Sequence, residues 1–216
     1  MGPRDHQGRL LVLLIEDHFG ECPGKVVGAI LDLGLASLGQ VVSMSGLSMK
    51  QGRAVMAVLV KHRMMGWSTE ESGRMVYSVQ HDNILAIMRY PHFISSVRSS
   101  HGELAAVILE QVIKSGTESL TGVLTAIGRK LISSEATTKD NLGKSLADIQ
   151  KIFLNLLEQK YFLCTGDKQE CDIGAICEAI MNQSSTLPED KTYYHLNVNK
   201  FTQITRNKML VDAARR

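Results

Sequence analysis

Between Ser48 and Arg63, apolar side chains recur at Val55, Met56, Leu59 and Val60 on one side of a 3.6-residue period, while Lys50, Arg53, Ala54, Ala57 and Lys61 fall on the other. A segment so divided must bury one face and leave a basic one outside. Two small residues among three cations let that face lie close to a phosphate backbone or an acidic protein surface. Ser48 predicts an N-cap for this helix. Not one Asp or Glu occurs from Leu33 to Thr69. Ahead of Ser48, Leu38 to Met44 fits a short helix, and Ser45-Gly46-Leu47 the turn of a helix-turn-helix. Behind it, Met65 to Ser68 and Arg74 to Val79 are strand-like runs joined by Thr-Glu-Glu-Ser-Gly, whose Gly73 can supply a positive φ. Helix, helix, helix, hairpin is the winged-helix order.

The remaining chain extends this plan. Arg9 to Phe19 reads as a helix, Pro23-Gly24 as an interruption, and Lys25 to Leu33 as a second helix ending at Gly34. Asp82 caps a helix through Ile84, Ile87 and Met88, with Pro91 marking its end. A second unit begins near Gly102, with helices at Leu104 to Ile113, stopping at Gly116, at Leu120 to Leu131, and at Leu142 to Lys160. Leu59-Val60-Lys61-His62-Arg63 is answered by Leu156-Leu157-Glu158-Gln159-Lys160, each followed by two bulky apolar residues, so the helix-to-strand exit predicts an internal repeat. Ile132 to Asn141 reads as a polar loop that makes the second unit longer. Beyond Thr165 the pattern weakens into a long wing or linker, Thr192 to Leu196 reads as a returning strand, and Asn199 to Ala214 is helical. The expected fold class is mainly α with small β-hairpins, in tandem winged-helix domains. The expected division is 8–100, 101–191, and a strand with the start of a third, incomplete winged helix over 192–216.

Composition narrows the function. A 216-residue chain with 44% hydrophobic and 21% charged residues and a net charge of +2 is neither a disordered tail nor a global nucleic-acid binder, so any basic site must be local. The longest aliphatic run, Leu10 to Ile15, is far short of the roughly 20 residues that cross a bilayer, and Glu16, Asp17 and His18 follow at once. An intracellular protein with reduced thiols at Cys22, Cys164, Cys171 and Cys177 is expected. Gly143-Lys144-Ser145 is no phosphate loop, because Thr138 stands where its first glycine belongs and no strand precedes. The three late cysteines lack the close pairing of zinc sites. Glu16-Asp17 and Glu70-Glu71 are adjacent carboxylates that point apart, and seven scattered histidines select no triad. No catalytic residue, metal, cofactor or small-molecule substrate is expected. The site residues expected are Lys50, Arg53, Lys61, Arg63 and Arg74, as DNA contacts through phosphates. Against them stand Glu70 and Glu71 at the wing tip. The second unit's long helix exposes Lys144, Asp148, Lys151, Asn155 and Glu158, a mixed-sign stripe suited to a protein partner.

Several segments carry a family resemblance: Leu14-Ile15-Glu16-Asp17-His18-Phe19-Gly20-Glu21, Val58-Leu59-Val60-Lys61-His62, Ile87-Met88-Arg89-Tyr90-Pro91-His92-Phe93-Ile94, Gly102-Glu103-Leu104 to Gly116, and Tyr194-His195-Leu196-Asn197-Val198-Asn199-Lys200-Phe201. The chain resembles the winged-helix C-three subunit of eukaryotic RNA polymerase III, over most of residues 10 to 131 and a patch from 193 to 214. The resemblance implies a nuclear, non-catalytic subunit of tandem extended winged helices. It would dock on the polymerase clamp and on two smaller heterotrimer partners, touch promoter DNA, and help initiation and promoter opening. Family members have further winged helices and a coiled coil where this sequence stops, so a fragment or a shortened form is expected. The alternative reading is a protein-interaction scaffold without DNA contact, its basic stripe meeting an acidic partner. A stand-alone repressor with two winged helices is the more distant one.

Overall fold

The computed structural model describes residues 6–133, 139–165 and 192–214. The chain forms two compact units that divide between Arg89 and Tyr90, not at residue 100.

In the first unit, α1 (His6–Phe19) and α2 (Glu21–Leu33) pack against each other and bury Leu11, Ile15, Val26, Val27 and Ile30. The break between them is Gly20, at φ 95°, rather than Pro23-Gly24. Pro23 falls in the first turn of α2, where a missing N–H leaves no helix bond unmade. Next come α3 (Leu38–Ser45) and α4 (Met49–Lys61) around left-handed Gly46. Both helices start with a serine three residues before a glutamine. The Gln40 side-chain oxygen accepts from the Ser37 N–H at 2.9 Å and the Gln51 oxygen from the Ser48 N–H at 3.1 Å. Ser48 Oγ in turn accepts from the Gln51 N–H at 3.3 Å, as the sequence predicts for this cap. A Cβ on Gly52 would run into the Val42 side chain, so glycine is what lets α4 lie this close to α3.

The hairpin β1 (Met65–Thr69) and β2 (Met75–Val79) pairs Met65 with Val79 and Trp67 with Tyr77, and turns at Gly73 with φ 76°. Ala36 adds a bridge to Tyr77. Then follow α5 (His81–Ala86) and a 3₁₀ turn at Ile87–Arg89.

The second unit repeats this plan. It begins with α6 (Tyr90–His101), so Pro91 opens a helix instead of ending one, again within a first turn. After it come α7 (Glu103–Ser115), the short strand β3 (Glu118–Ser119), α8 (Leu120–Ser133), α9 (Lys139–Glu158) and β4 (Phe162–Thr165). The last described elements are β5 (Tyr193–Leu196) and α10 (Val198–Ala214). Positive-φ Gly102 and Gly116 bracket α7 as Gly20 and Gly34 bracket α2. Tyr194 of β5 lies between Glu118 and Cys164, as Tyr77 lies between Ala36 and Trp67. Part of the expected polar loop is helix: α8 reaches Ser133 and α9 starts at Lys139, so these helices have 14 and 20 residues where α3 and α4 have 8 and 13.

The returning strand is where the sequence puts it, but it is central in the order β3-β5-β4 and completes the second unit rather than opening a third. The following helix is held there too, by Phe201 stacked on Phe93 at 4.6 Å. Phe153 of α9 fixes the sheet, with Phe162 at 5.2 Å and Tyr194 at 5.1 Å. The expected wing or linker over 166–191 lies outside the described residues.

The predicted exit repeat holds bond for bond. Arg63 N–H donates to Val60 and Met64 N–H to Leu59, each at 2.9 Å. Lys160 N–H donates to Leu157 at 2.9 Å and Tyr161 N–H to Leu156 at 3.0 Å. These are two Schellman turns, and their left-handed residues are Arg63 (φ 58°) and Lys160 (φ 61°) instead of glycine. The carbonyl that each turn swings outward is caught by an asparagine amide, Asn83 at 2.7 Å and Asn197 at 2.9 Å.

A left-handed L-residue costs roughly 1–2 kcal/mol, partly offset by the chain entropy of glycine. Arg63→Gly and Lys160→Gly should therefore each raise unfolding stability by about 0.5–1 kcal/mol in denaturant melts. Asn83→Ala and Asn197→Ala should each lower it by about 1 kcal/mol.

A second expectation concerns His62, the C-cap of α4, whose ring meets Phe19 edge-on at 4.9 Å. Burial, and then the Lys61 charge, hold its pKa below the ordinary 6.5. The folded state therefore resists a proton that the unfolded chain accepts. The resulting stability is present above pH 6.5 and is lost as pH falls through the depressed value. Denaturant midpoints measured across that window should fall less steeply in His62→Gln than in the parent.

Candidate functional site

The first unit brings the five expected cations out to solvent from three elements. Lys50, Arg53 and Lys61 are exposed on α4, Arg63 in the exit turn, and Arg74 just ahead of the returning wing strand. Lys50, Arg53, Ala57 and Lys61 follow one another at spacings of three and four, so they form one stripe along α4.

Beside the stripe lies an apolar groove of about 360 Å³ between α3, α4 and the hairpin. Leu38 comes from α3, Met56, Ala57 and Val60 from α4, and Trp67, Met75 and Tyr77 from the strands, with Arg53 the one cation in the lining. The hairpin pairing explains the wall. Trp67 faces Tyr77 and Thr69 faces Met75, so these side chains share the sheet face that buries Met65 nearer the core. Past the end of that core the same face is open, leaving Trp67 58% and Met75 49% exposed.

A second hollow, of about 230 Å³, lies where Val60, Arg63, Gly66, Trp67, Gln80 and Asn83 meet. Arg63 is exposed as a residue but partly desolvated, which lowers its pKa, though a guanidinium stays charged throughout the accessible range. Trp67 thus borders both hollows, with Arg53 in one and Arg63 in the other. Lys50, Lys61 and Arg74 line neither. Glu70 and Glu71 sit exposed at the wing tip, where Ser72 Oγ donates to Glu70 at 3.3 Å. Sequence alone marks Trp67, Met75 and Tyr77 only as strand formers. The signal that would single them out is their shared parity across the hairpin.

In the second unit, Asp148, Lys151, Asn155 and Glu158 are exposed on α9, and Asn155 accepts from Gln159 at 2.6 Å. The Lys144 side chain, Cys171 and Cys177 lie outside the described residues. Cys22 and Cys164 are half-buried. Among the described residues no group of three His, Cys, Asp or Glu is placed to hold a metal, and no helix is long and apolar enough to cross a membrane. His101 meets the Tyr161 hydroxyl at 3.2 Å and His195 the Thr165 hydroxyl at 3.2 Å, both within the second unit's packing.

Comparison with known proteins agrees with this architecture. Residues 9–70 match the helix-turn-helix domain of RNA polymerase III subunit RPC82, a span ending inside the first wing. The DNA-directed RNA polymerase III subunit RPC3 of Homo sapiens is 23% identical over 153 residues, and that of Bos taurus 22%. Each alignment covers 71% of this chain and 28% of the relative. The rpc-3 subunit of Neurospora crassa is 23% identical over 154 residues, covering 68% of this chain and 25% of its own length. The chain thus spans little more than a quarter of the curated relatives it matches. Winged-helix units with small antiparallel hairpins, the domain match at 9–70 and relatives in animals and fungi together make the chain similar to part of the RPC3 (RPC82) subunits of RNA polymerase III.

Proposed function

We propose that the chain serves RNA polymerase III in the nucleus as a non-catalytic docking subunit in initiation and promoter opening. Its winged helices bind the polymerase clamp and two smaller partner subunits. One observation carries this reading: a repeated winged-helix plan in a chain related to RPC3, whose α4 and wing enclose an open apolar groove. A recognition helix that meets only DNA has little use for an exposed tryptophan and methionine beside it, whereas apolar anchoring pockets are what protein interfaces are built around. The mixed-sign face of α9 supports the same reading for the second unit.

A second reading is favoured by the exposed cations and the acid-free stretch behind them. Lys50, Arg53, Lys61, Arg63 and Arg74 would make weak contacts to promoter DNA phosphates, and the acidic wing tip would keep them weak.

Affinity capture from nuclear extract with the tagged chain should retain RNA polymerase III subunits at moderate salt. If a folded chain retains none, the docking reading is wrong for these residues. For DNA, replacing Lys50, Arg53 and Lys61 together by Ala should flatten the slope of log affinity against log salt by about 0.9 for each phosphate no longer neutralised. An unchanged affinity and slope would exclude this face as a DNA-binding surface.

A further inference from the structure

The groove between α4 and the wing belongs to the interior of neither unit. Its walls are apolar, yet Trp67 and Met75 stand open to solvent at 58% and 49%. Its volume of about 360 Å³ falls in the range of built binding pockets and is enough for an anchoring side chain. Its edge is cationic: Arg53 is part of the lining, Lys50 and Lys61 continue that stripe along α4, and Arg74 precedes Met75 on the wing. The nearest carboxylates in the sequence, Glu70 and Glu71, are confined to the wing tip.

Resting on the docking reading above, we propose that this groove takes one large apolar side chain of an acidic polypeptide segment, whose flanking carboxylates meet Arg53 and the α4 stripe. Charge complementarity selects such a partner. A basic or neutral segment would leave the cationic edge unanswered, and a nucleic-acid backbone would answer the edge while leaving the apolar floor wet. The floor supplies affinity by burying Trp67 and Met75, and the edge supplies selection and a faster encounter.

Trp67 is the one tryptophan of the 216-residue chain, so its emission reports on the groove directly. The full chain is titrated with a short synthetic peptide of glutamates around one central phenylalanine. Three controls run in parallel: the same peptide with every Glu replaced by Gln, the same peptide with the phenylalanine replaced by alanine, and oligonucleotides in single- and double-stranded form. The acidic, anchored peptide should give a saturable blue shift of Trp67. Binding should weaken about fivefold or more with the glutamine peptide and about tenfold or more with the alanine peptide. It should vanish in Met75→Glu, which adds a charge at an exposed site, while that variant keeps the parent's circular dichroism and melting temperature.

Equal binding of the glutamine peptide overturns the proposal. So does an emission change produced by oligonucleotides and not by the peptide, which would make the groove a base-stacking platform. A shift that follows the chain's own concentration overturns it in favour of a second copy. Capture from nuclear extract separates the groove proposal from the docking reading. If Met75→Glu still retains the polymerase while neither chain binds the peptide, the groove proposal fails and the docking reading stands. If the parent chain also retains none, the docking reading fails.

Discussion

Each unit depends on the turn by which its long helix ends. The helix must stop, reverse and deliver a strand that starts in the core, and the Schellman turns at Arg63 and Lys160 do all three within four residues. The following residues, Met64 and Tyr161, are buried beside Leu59 and Leu156, so the hydrophobic contact typical of this turn ties the helix end to the sheet. Their carbonyls then accept from the N–H groups of Gln80 and Asn197, at 2.9 and 3.0 Å, which brings the far end of each hairpin back to the same place. Strand register, the angle between helix and wing and hence the groove all descend from this junction.

That a cation occupies the left-handed position in both units bears on how the site is arranged. A glycine would hold the backbone more cheaply and leave the ridge between helix and wing without charge. Arg63 instead puts a guanidinium in one of the two hollows that Trp67 lines, as Arg53 does in the other. Local stability is given up here for charge at a defined place, a pattern that strained positions in functional regions often show.

Helix existence, the cap at Ser48, the turn at Gly73 and the repeated exit are legible because each rests on short-range chemistry: a 3.6 period, a side chain that competes for an N–H, a residue that tolerates positive φ. Pro23 and Pro91 mislead for the same local reason. A proline in a first helical turn and one that ends a helix look alike until the preceding residues are placed. The unit boundary and the central position of Tyr193–Leu196 are not legible, since strand order follows from contacts between residues far apart in sequence. The cationic half of the site can be read from one helix alone. Its apolar half is shared among α3, α4 and two strands, and the wall formed by Trp67, Met75 and Tyr77 needs the hairpin register to exist at all.

The serine–glutamine starts of α3 and α4 have an electrostatic consequence. Capping of this kind is commonly completed by glutamate, whose charge would cancel the positive end of the helix. With Gln40 and Gln51 in that role, both helices are capped by neutral amides, and each keeps a partial charge of roughly +0.5 at its start. Part of the positive potential around this helix-turn-helix is therefore carried by peptide dipoles rather than side chains. No change of pH titrates that part away, and no lysine modification removes it.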